Sequence, residues 1–233
     1  MPNELKLMFA EELGIYDIKA LATTCREMNK LLTPFMYRRA KDSKTKDGRP
    51  YFLLAVDHGN LAEVKRFVEV GASVNMTDTV TQSPVTAIHS CATFGHVEIA
   101  KFLIEMGSTV SAVDSLGGGP LLDVVTGINP KEEMVKLLVE AGADMKASWA
   151  PGRTVLHDAV LTGNVGMVQC LLDLGADPNA ASRAGTRPMD LASPDSNGQT
   201  IRRLLEAKQN EIRDHAHGRL HGLRSGNTSS TGS

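Results

Sequence analysis

The 233-residue sequence predicts an all-α array of stacked helix pairs, and three observations support this fold class. A segment with two short apolar helical stripes and a glycine turn between them occurs four times, ending at Gly71, Gly107, Gly142 and Gly175. These glycines are 36, 35 and 33 residues apart, which indicates a regular structural repeat. Aromatic residues make up only 4% of the chain, so aliphatic side chains must form the core, as in helical arrays.

Residues 154–179 contain the most regular copy of this segment. The first predicted helix ends at Gly163, and the second carries apolar residues at helical spacing: Val165, Val168, Leu171 and Leu172. Gly175 follows where a helix C-terminus requires a left-handed residue. Because one short pair cannot bury both of its apolar faces, the copies must stack on each other.

A Thr-x-x-His start at Thr86 and Thr154 and a glycine exit resemble the ankyrin repeat. The resemblance implies a solenoid of helix–turn–helix repeats with finger loops, over residues 48–209. Its repeats are expected at 48–78, 79–114, 115–147 and 148–180, with a degenerate C-terminal capping repeat at 181–209. We expect the threonines to cap the first helices, and His89 and His157 to hydrogen-bond neighbouring backbone. Residues 187–192 match the start of a first helix in the capping repeat.

The third repeat departs from the regular pattern in two places. Asn129-Pro130 lengthens the turn between its helices, and Gly117-Gly118-Gly119 predicts a mobile finger before it. The glycine run lacks the Lys-Ser/Thr of a phosphate-binding loop. Residues 210–233 are rich in His, Arg, Gly, Ser and Thr, and we expect this tail to be disordered.

Residues 1–40 predict three short helices, the third of which ends or restarts at Thr33-Pro34. The order of Met1-Pro2, Asp17-Ile18 and Thr24-Cys25-Arg26 resembles an F-box. This resemblance implies binding to the Skp-type adaptor of cullin–RING ubiquitin ligases. The adaptor-binding residues that it implies are Pro2, Leu5, Phe9, Leu13, Ile18, Leu21, Leu32 and Pro34. The alternative is a helical cap that only shields the first repeat. Residues 41–47 are polar throughout and predict a linker.

Partner binding is expected on the first helices and finger tips of the ankyrin-like array. The positions that vary within the family are occupied by His58, Val80, Phe94, Leu116, Trp149, Leu161 and Arg183. Trp149 is the single tryptophan, and Trp and Arg often dominate protein interfaces. The alternative for Trp149 is simple packing over its own finger.

Composition excludes several other classes of function. The net charge of −2 and the pI near 6.4 give no reason to expect a nucleic-acid partner. No segment is apolar enough for a membrane span, and no catalytic, cofactor or metal motif is found. The three cysteines are odd in number and far apart, so we expect reduced thiols in a cytoplasmic or nuclear protein. Outside its complexes the chain is expected to be a monomer.

Three functional hypotheses follow. The first is a substrate receptor of a Skp–cullin–F-box ubiquitin ligase, with residues 1–40 recruiting the ligase and the array binding the target. The second is an ankyrin scaffold without a ligase role. The third is a small-molecule-binding or isomerase-like protein with a pocket between Phe94, Leu116, Asp123 and Trp149. First-helix carboxylates at Asp123, Asp158 and Asp190 could serve acid–base chemistry, although capping and solvated roles are far more common for such residues.

Overall fold

The computed structural model describes residues 26–45, 48–78, 85–114, 117–146 and 152–225. Over these ranges the chain is mostly helical, and the expected fold class, an all-α ankyrin solenoid, is confirmed. The chain divides into two compact units, Met1–Ala143 and Asp144–Ser233.

The first unit contains seven described helices and one small hairpin. The helices are α1 (Arg26–Ala40), α2 (Tyr51–Asp57), α3 (Leu61–Glu69), α4 (Ala87–Phe94), α5 (Val97–Glu105), α6 (Pro120–Thr126) and α7 (Glu132–Glu140). The hairpin pairs β1 (Thr77–Asp78) with β2 (Val85–Thr86) in antiparallel register and forms the base of the first finger. The first helices of successive repeats pack on each other, α2 against α4 and α4 against α6.

Glycines end the second helix of each of the first four repeats, as the sequence predicts. Gly71 and Gly107, which follow α3 and α5, have φ values of 89° and 86°. This left-handed conformation is strained for other residues and lets the chain turn sharply back. After α3, the Ala72 amide donates to the Phe67 carbonyl at 2.9 Å, which satisfies a carbonyl at the helix end.

Helix α1 is packed directly on the first repeat. The buried ring of Tyr37 meets the ring of Phe67 edge-to-face, with centroids 4.8 Å apart. The Arg66 guanidinium lies 5.7 Å from the centre of the Tyr37 ring. The expectation that Thr33-Pro34 interrupts this helix is wrong, because α1 continues through Pro34 to Ala40. Tyr37 and Ala40, both buried, hold the turns that follow the proline.

The second unit contains α8 (Val155–Leu161), α9 (Val165–Asp173), a 3-10 helix at Pro188–Leu191 and α10 (Ser196–Ser225). The capping repeat differs from expectation because its first helix is only this four-residue 3-10 turn. Pro194 follows shortly afterwards, and the residue before a proline disfavours helical backbone. Helix α10 packs on α9 and buries Ile201 and Leu205.

The disorder expected for the tail does not hold over residues 210–225, because α10 runs to Ser225. The physical reason is local helix propensity, since residues 204–213 are rich in Leu, Glu, Ala, Lys, Gln and Arg. An ion pair of 2.9 Å between Lys208 and Glu211, one turn apart, adds to this preference. Residues 226–233 lie outside the described residues.

The histidine of the fourth repeat ties its helix to the capping repeat. The Thr154 amide donates to Nδ1 of His157 at 3.1 Å, and the Thr154 hydroxyl lies 2.9 Å from the same nitrogen. The hydrogen on Nε2 is then donated to the Thr186 carbonyl at 3.1 Å. The expected capping and bridging roles of Thr154 and His157 are therefore confirmed.

We predict that His157→Leu lowers the free energy of unfolding by about 2 kcal/mol, because three half-buried polar groups lose their partner. His89→Leu is the matched control in the second repeat. Nε2 of His89 has no hydrogen-bond partner among the described residues, so this change should cost less. Urea denaturation followed by circular dichroism measures both. Equal losses would contradict the bridging role of His157.

We also predict that Tyr37→Ala costs about 3 kcal/mol, because a buried aromatic ring leaves a cavity against Phe67. Arg38→Ala, an exposed change on the same helix, should be nearly neutral. Protease resistance of α1 and urea denaturation together measure the effect. A neutral Tyr37→Ala would mean that α1 does not depend on this contact.

Candidate functional site

Four of the seven predicted partner-binding residues lie in the described ranges. His58 follows α2 and is exposed, and Phe94 ends α4 and is half-buried. The Phe94 ring stacks on His96 at a centroid distance of 5.9 Å. In the second unit, Leu161 at the end of α8 is 58% exposed, and Arg183 is exposed in a turn. Their positions are compatible with partner binding, which stays a prediction.

The remaining predicted residues fall mostly outside the described ranges. These are Val80, Leu116 and Trp149 of the fingers, and Pro2, Leu5, Phe9, Leu13, Ile18 and Leu21 of the F-box-like segment. Leu32 and Pro34 lie on α1, where Pro34 is exposed. The small-molecule pocket predicted between Phe94, Leu116, Asp123 and Trp149 therefore stays untested.

A feature that the sequence reading missed is an arginine clamp on inner carboxylates in two repeats. Arg49, two residues before α2, contacts Asp57 at 2.7 Å and Asp78 at 3.3 Å. Arg153, two residues before α8, contacts Asp158 at 2.7 Å. The carboxylate side chains are almost fully buried, with 5% to 9% exposed, so the guanidinium groups compensate buried negative charge.

A signal for these clamps is present in the sequence. Arg49 and Arg153 are 104 residues apart, the same separation as the exit glycines Gly71 and Gly175. The two arginines therefore occupy equivalent positions in their repeats. A search for catalytic motifs does not compare equivalent positions, so it does not find them. Asp158, considered above as an acid–base residue, is instead a structural partner of Arg153.

The third repeat has no such clamp. Two residues before α6 the chain has Gly118, and two residues before α4 it has Val85. Burial and, to a smaller extent, the nearby Asp114 carboxylate together raise the pKa of Asp123 on α6 to about 7. Among the described residues, no basic side chain forms an ion pair with Asp123.

The extended turn of the third repeat is held against the second repeat. The amides of Ile128 and Asn129 donate to the Thr93 carbonyl at 2.9 and 3.4 Å, as the backbone folds over the end of α4. Gly127 is required there, because a Cβ atom would lie 2.7 Å from the same carbonyl oxygen. The Ile128 side chain is 77% exposed although its backbone is fixed. No motif in the sequence points to Ile128.

His89 differs from its counterpart His157. Its Nδ1 accepts from the Thr86 amide at 3.3 Å, which confirms the capping role. Burial lowers the pKa of His89, so the ring is neutral at neutral pH and carries its hydrogen on Nε2. The carbonyls of Ala112 and Gly118 lie beside the ring, but no described atom completes a hydrogen bond to Nε2.

An open cleft of about 310 Å³ lies at the helix–turn edge of the first unit. It is lined by Gly59, Gly95, His96, Val97, Lys131 and Glu133, among others. His96, one of the lining residues, contacts the Asp57 carbonyl at 3.0 Å through Nε2. Neither Phe94 nor Asp123 lines this cleft, so it is not the small-molecule pocket considered above.

No helix in the described part of the chain is long and apolar enough to cross a membrane. Over the same ranges, no three His, Cys, Asp or Glu side chains come close enough to hold a metal ion. Cys91 and Cys170 are buried, and burial raises the pKa of the Cys91 thiol well above its usual range.

Comparison with known families agrees with this geometry. A family described as "Ankyrin repeats (3 copies)" matches residues 19–114 and 122–214. These ranges cover most of the chain, so the protein belongs to the ankyrin repeat family. The first matched range begins before α1 and includes it.

The chain matches several curated proteins over part of its length, and it spans less than two thirds of the first three of them. The E3 ubiquitin-protein ligase KEG of Arabidopsis thaliana is 30% identical over 60% of this chain, which spans 9% of that protein. Ankyrin repeat and SOCS box protein 16 of Mus musculus is 32% identical over 48% of this chain and 26% of its own length. Protein phosphatase 1 regulatory subunit 27 of Mus musculus is 28% identical over 63% of this chain and 73% of its own length.

We predict that Asp123 makes the stability of the protein depend on pH. Its pKa is about 7 in the folded protein against an ordinary value of 3.8, so the folded state binds more protons between these values. The free energy of unfolding should therefore fall as pH rises from about 4 to 7, by on the order of 2 kcal/mol after allowing for partial solvation.

Urea denaturation at pH 5 and pH 8 measures this effect. Asp123→Asn should remove most of the difference, because the amide does not ionise. Glu105→Gln, an exposed carboxylate change on α5, should leave it intact. If Asp123→Asn has the same pH dependence as the unmodified chain, the assignment is wrong.

Proposed function

We propose that this chain is a substrate receptor of a Skp–cullin–F-box type ubiquitin ligase. Residues 1–40 recruit the ligase adaptor, and the ankyrin repeats bind the protein to be modified. The repeats make the chain a protein–protein interaction module, because the family consists generally of non-catalytic interaction modules. The receptor contributes proximity between target and ligase and carries out no bond-making step itself.

The observation that carries this proposal is the fixed junction between α1 and the first repeat. The Tyr37–Phe67 contact and the Arg66 guanidinium hold α1 on α3. A ligase adaptor bound at the exposed Pro34 would therefore keep a constant distance from the first repeat. A receptor needs such a junction, because a loose linker would lower the effective concentration of target near the ligase.

The names of two similar proteins also support a role in a ubiquitin ligase. The Arabidopsis protein is named an E3 ubiquitin-protein ligase, and the mouse protein is named an ankyrin repeat and SOCS box protein. The similarity covers 60% and 48% of this chain. The proposed site of action is the cytoplasm or the nucleus, because the three cysteines are odd in number and far apart in the sequence, which is typical of reduced thiols.

A second candidate is an ankyrin scaffold without a ligase role, with α1 serving as a cap. It is favoured by the family match, which begins at residue 19 and treats α1 as part of the repeats. The two candidates make different predictions about the exposed side of α1. In a receptor that side binds the adaptor, whereas in a capped scaffold only the buried side matters.

We predict that the purified full chain retains a purified Skp-type adaptor–cullin complex in a pull-down. Pro34→Glu should weaken this binding by about tenfold or more, because it places a charge in an apolar interface. Arg38→Glu, an exposed change one turn away on the same helix, is the matched control and should bind nearly normally. Circular dichroism of each variant shows whether it is folded.

The scaffold predicts the opposite pattern. The folded full chain would then recover neither adaptor nor cullin, and Pro34→Glu would have no effect on any partner. That result would exclude the receptor while leaving the role of the repeats as an interaction module intact.

A further inference from the structure

The first finger of the array rests on a short hairpin. Its strands β1 and β2 contain two residues each, and they pair Thr77 with Thr86 and Asp78 with Val85. An isolated two-stranded hairpin is marginally stable at best in water. Contacts with the rest of the first unit must therefore hold the base of this finger in place.

Asp78 makes one such contact, at the end of β1. The residue is only 4% exposed, and Nε of Arg49 lies 3.3 Å from its carboxylate. This contact is an ion pair rather than an aligned hydrogen bond, because Nε of Arg49 forms no hydrogen bond with the described residues. Through Nη2, the same guanidinium contacts Asp57 at the end of α2, at 2.7 Å. Arg49 thus joins the base of the finger to the first helix of the first repeat.

Burial makes this bridge more important than a surface ion pair. Ion pairs between exposed groups contribute little, because water and salt screen them. The side chains of Asp57 and Asp78 are only 9% and 5% exposed, so removing Arg49 would leave two buried carboxylates without their shared cation. Burial raises the pKa of Asp57, and the Ser90 hydroxyl and the Arg49 charge act against this rise. The guanidinium therefore favours the charged form of the carboxylate that it bridges to the finger.

The backbone of Arg49 is itself held by the segment between α1 and α2. The Thr45 amide donates to the Arg49 carbonyl at 2.8 Å, and the Arg49 amide donates to the Thr45 hydroxyl at 3.1 Å. The Ser43 hydroxyl donates to the Arg39 carbonyl at 2.7 Å, which ties this segment to the last turn of α1. The described part of the segment therefore presents Arg49 from a fixed backbone.

From this geometry we infer that Arg49 is the positioning residue of the first finger. Its guanidinium fixes β1 against the end of α2, and the turn at Thr45 fixes the Arg49 backbone close to the end of α1. Because finger tips are expected to bind partners, Arg49 sets the direction from which the first finger meets a protein partner. The inference goes beyond the proposed function, since it applies to any protein that binds this finger.

Hydrogen exchange of the full chain, followed by NMR, tests the inference. Arg49→Gln should speed exchange of the protected amides in residues 77–78 and 85–86 by about tenfold or more, because the hairpin then opens locally. The amides of α4 and α5 should change by less than about twofold, because these helices do not depend on the bridge. A residue that served global stability alone would speed exchange in the hairpin and in both helices together.

Two further variants identify the contact. Arg49→Lys should restore only part of the protection, because a lysine ammonium lacks the planar fork that bridges two carboxylates. Asp78→Asn should speed hairpin exchange as Arg49→Gln does, and the double variant should add little, because both changes remove the same contact. If Arg49→Gln does not fold, Asp78→Asn tests the same contact with the arginine in place.

The fourth repeat supplies the matched control. Arg153 occupies the equivalent position and contacts Asp158, whose side chain is 5% exposed, at 2.7 Å. Arg153→Gln therefore removes a comparable buried pair in the second unit, and hairpin exchange in the first unit should not change.

Phage-displayed peptides selected on the full chain provide a binding measurement. Val80, which is expected to bind a partner at the tip of this finger, sorts them through the variant Val80→Asp. Peptides that lose affinity for Val80→Asp should bind Arg49→Gln about fivefold or more weakly, because the finger must be ordered before it can bind. Peptides that tolerate Val80→Asp should bind Arg49→Gln normally.

Unchanged hairpin exchange in Arg49→Gln overturns the inference, and so does an equal acceleration of the hairpin, α4 and α5. Normal binding of the Val80-dependent peptides to Arg49→Gln also overturns it. Adaptor binding at Pro34 is measured separately, so none of these results decides the ligase proposal.

Discussion

The structure depends on burial between neighbouring repeats. Helices of seven to nine residues are too short to be stable alone, because nucleating a helix fixes several residues for each hydrogen bond gained. In the first unit the first helices therefore gain stability by packing on one another, as α2 does on α4 and α4 on α6. Residues such as Phe52, Ile88 and Leu121 bury apolar area that no single repeat could remove from water.

This constraint explains why regular positions could be predicted from the sequence and irregular ones could not. The exit glycines and the threonine–histidine caps recur because each repeat needs the same turn and the same satisfied helix end. A fixed spacing is visible in one sequence without any structure. The repeats, their helices and the bridging role of His157 were therefore predictable.

The errors lie where local sequence and packing disagree. Pro34 predicts a break, but burial of Tyr37 and Ala40 after it keeps α1 continuous. Residues 210–225 have the composition of a tail, yet they continue a helix that Ile201 and Leu205 anchor on α9. In both cases packing or helix propensity elsewhere on the same helix decides, and the composition of the short window itself does not contain either.

The candidate site was only partly predictable, for a related physical reason. The exposure of residues such as His58 and Leu161 could be predicted from their positions in the repeat, because those positions fix which side of a first helix faces solvent. The importance of Asp123 depends instead on a residue that is missing, since Gly118 stands where Arg153 pairs with Asp158. A missing partner becomes evident only when the pairs made in the other repeats are known. Charge that the scaffold neutralises serves its stability, as the ion pair between Arg153 and Asp158 does.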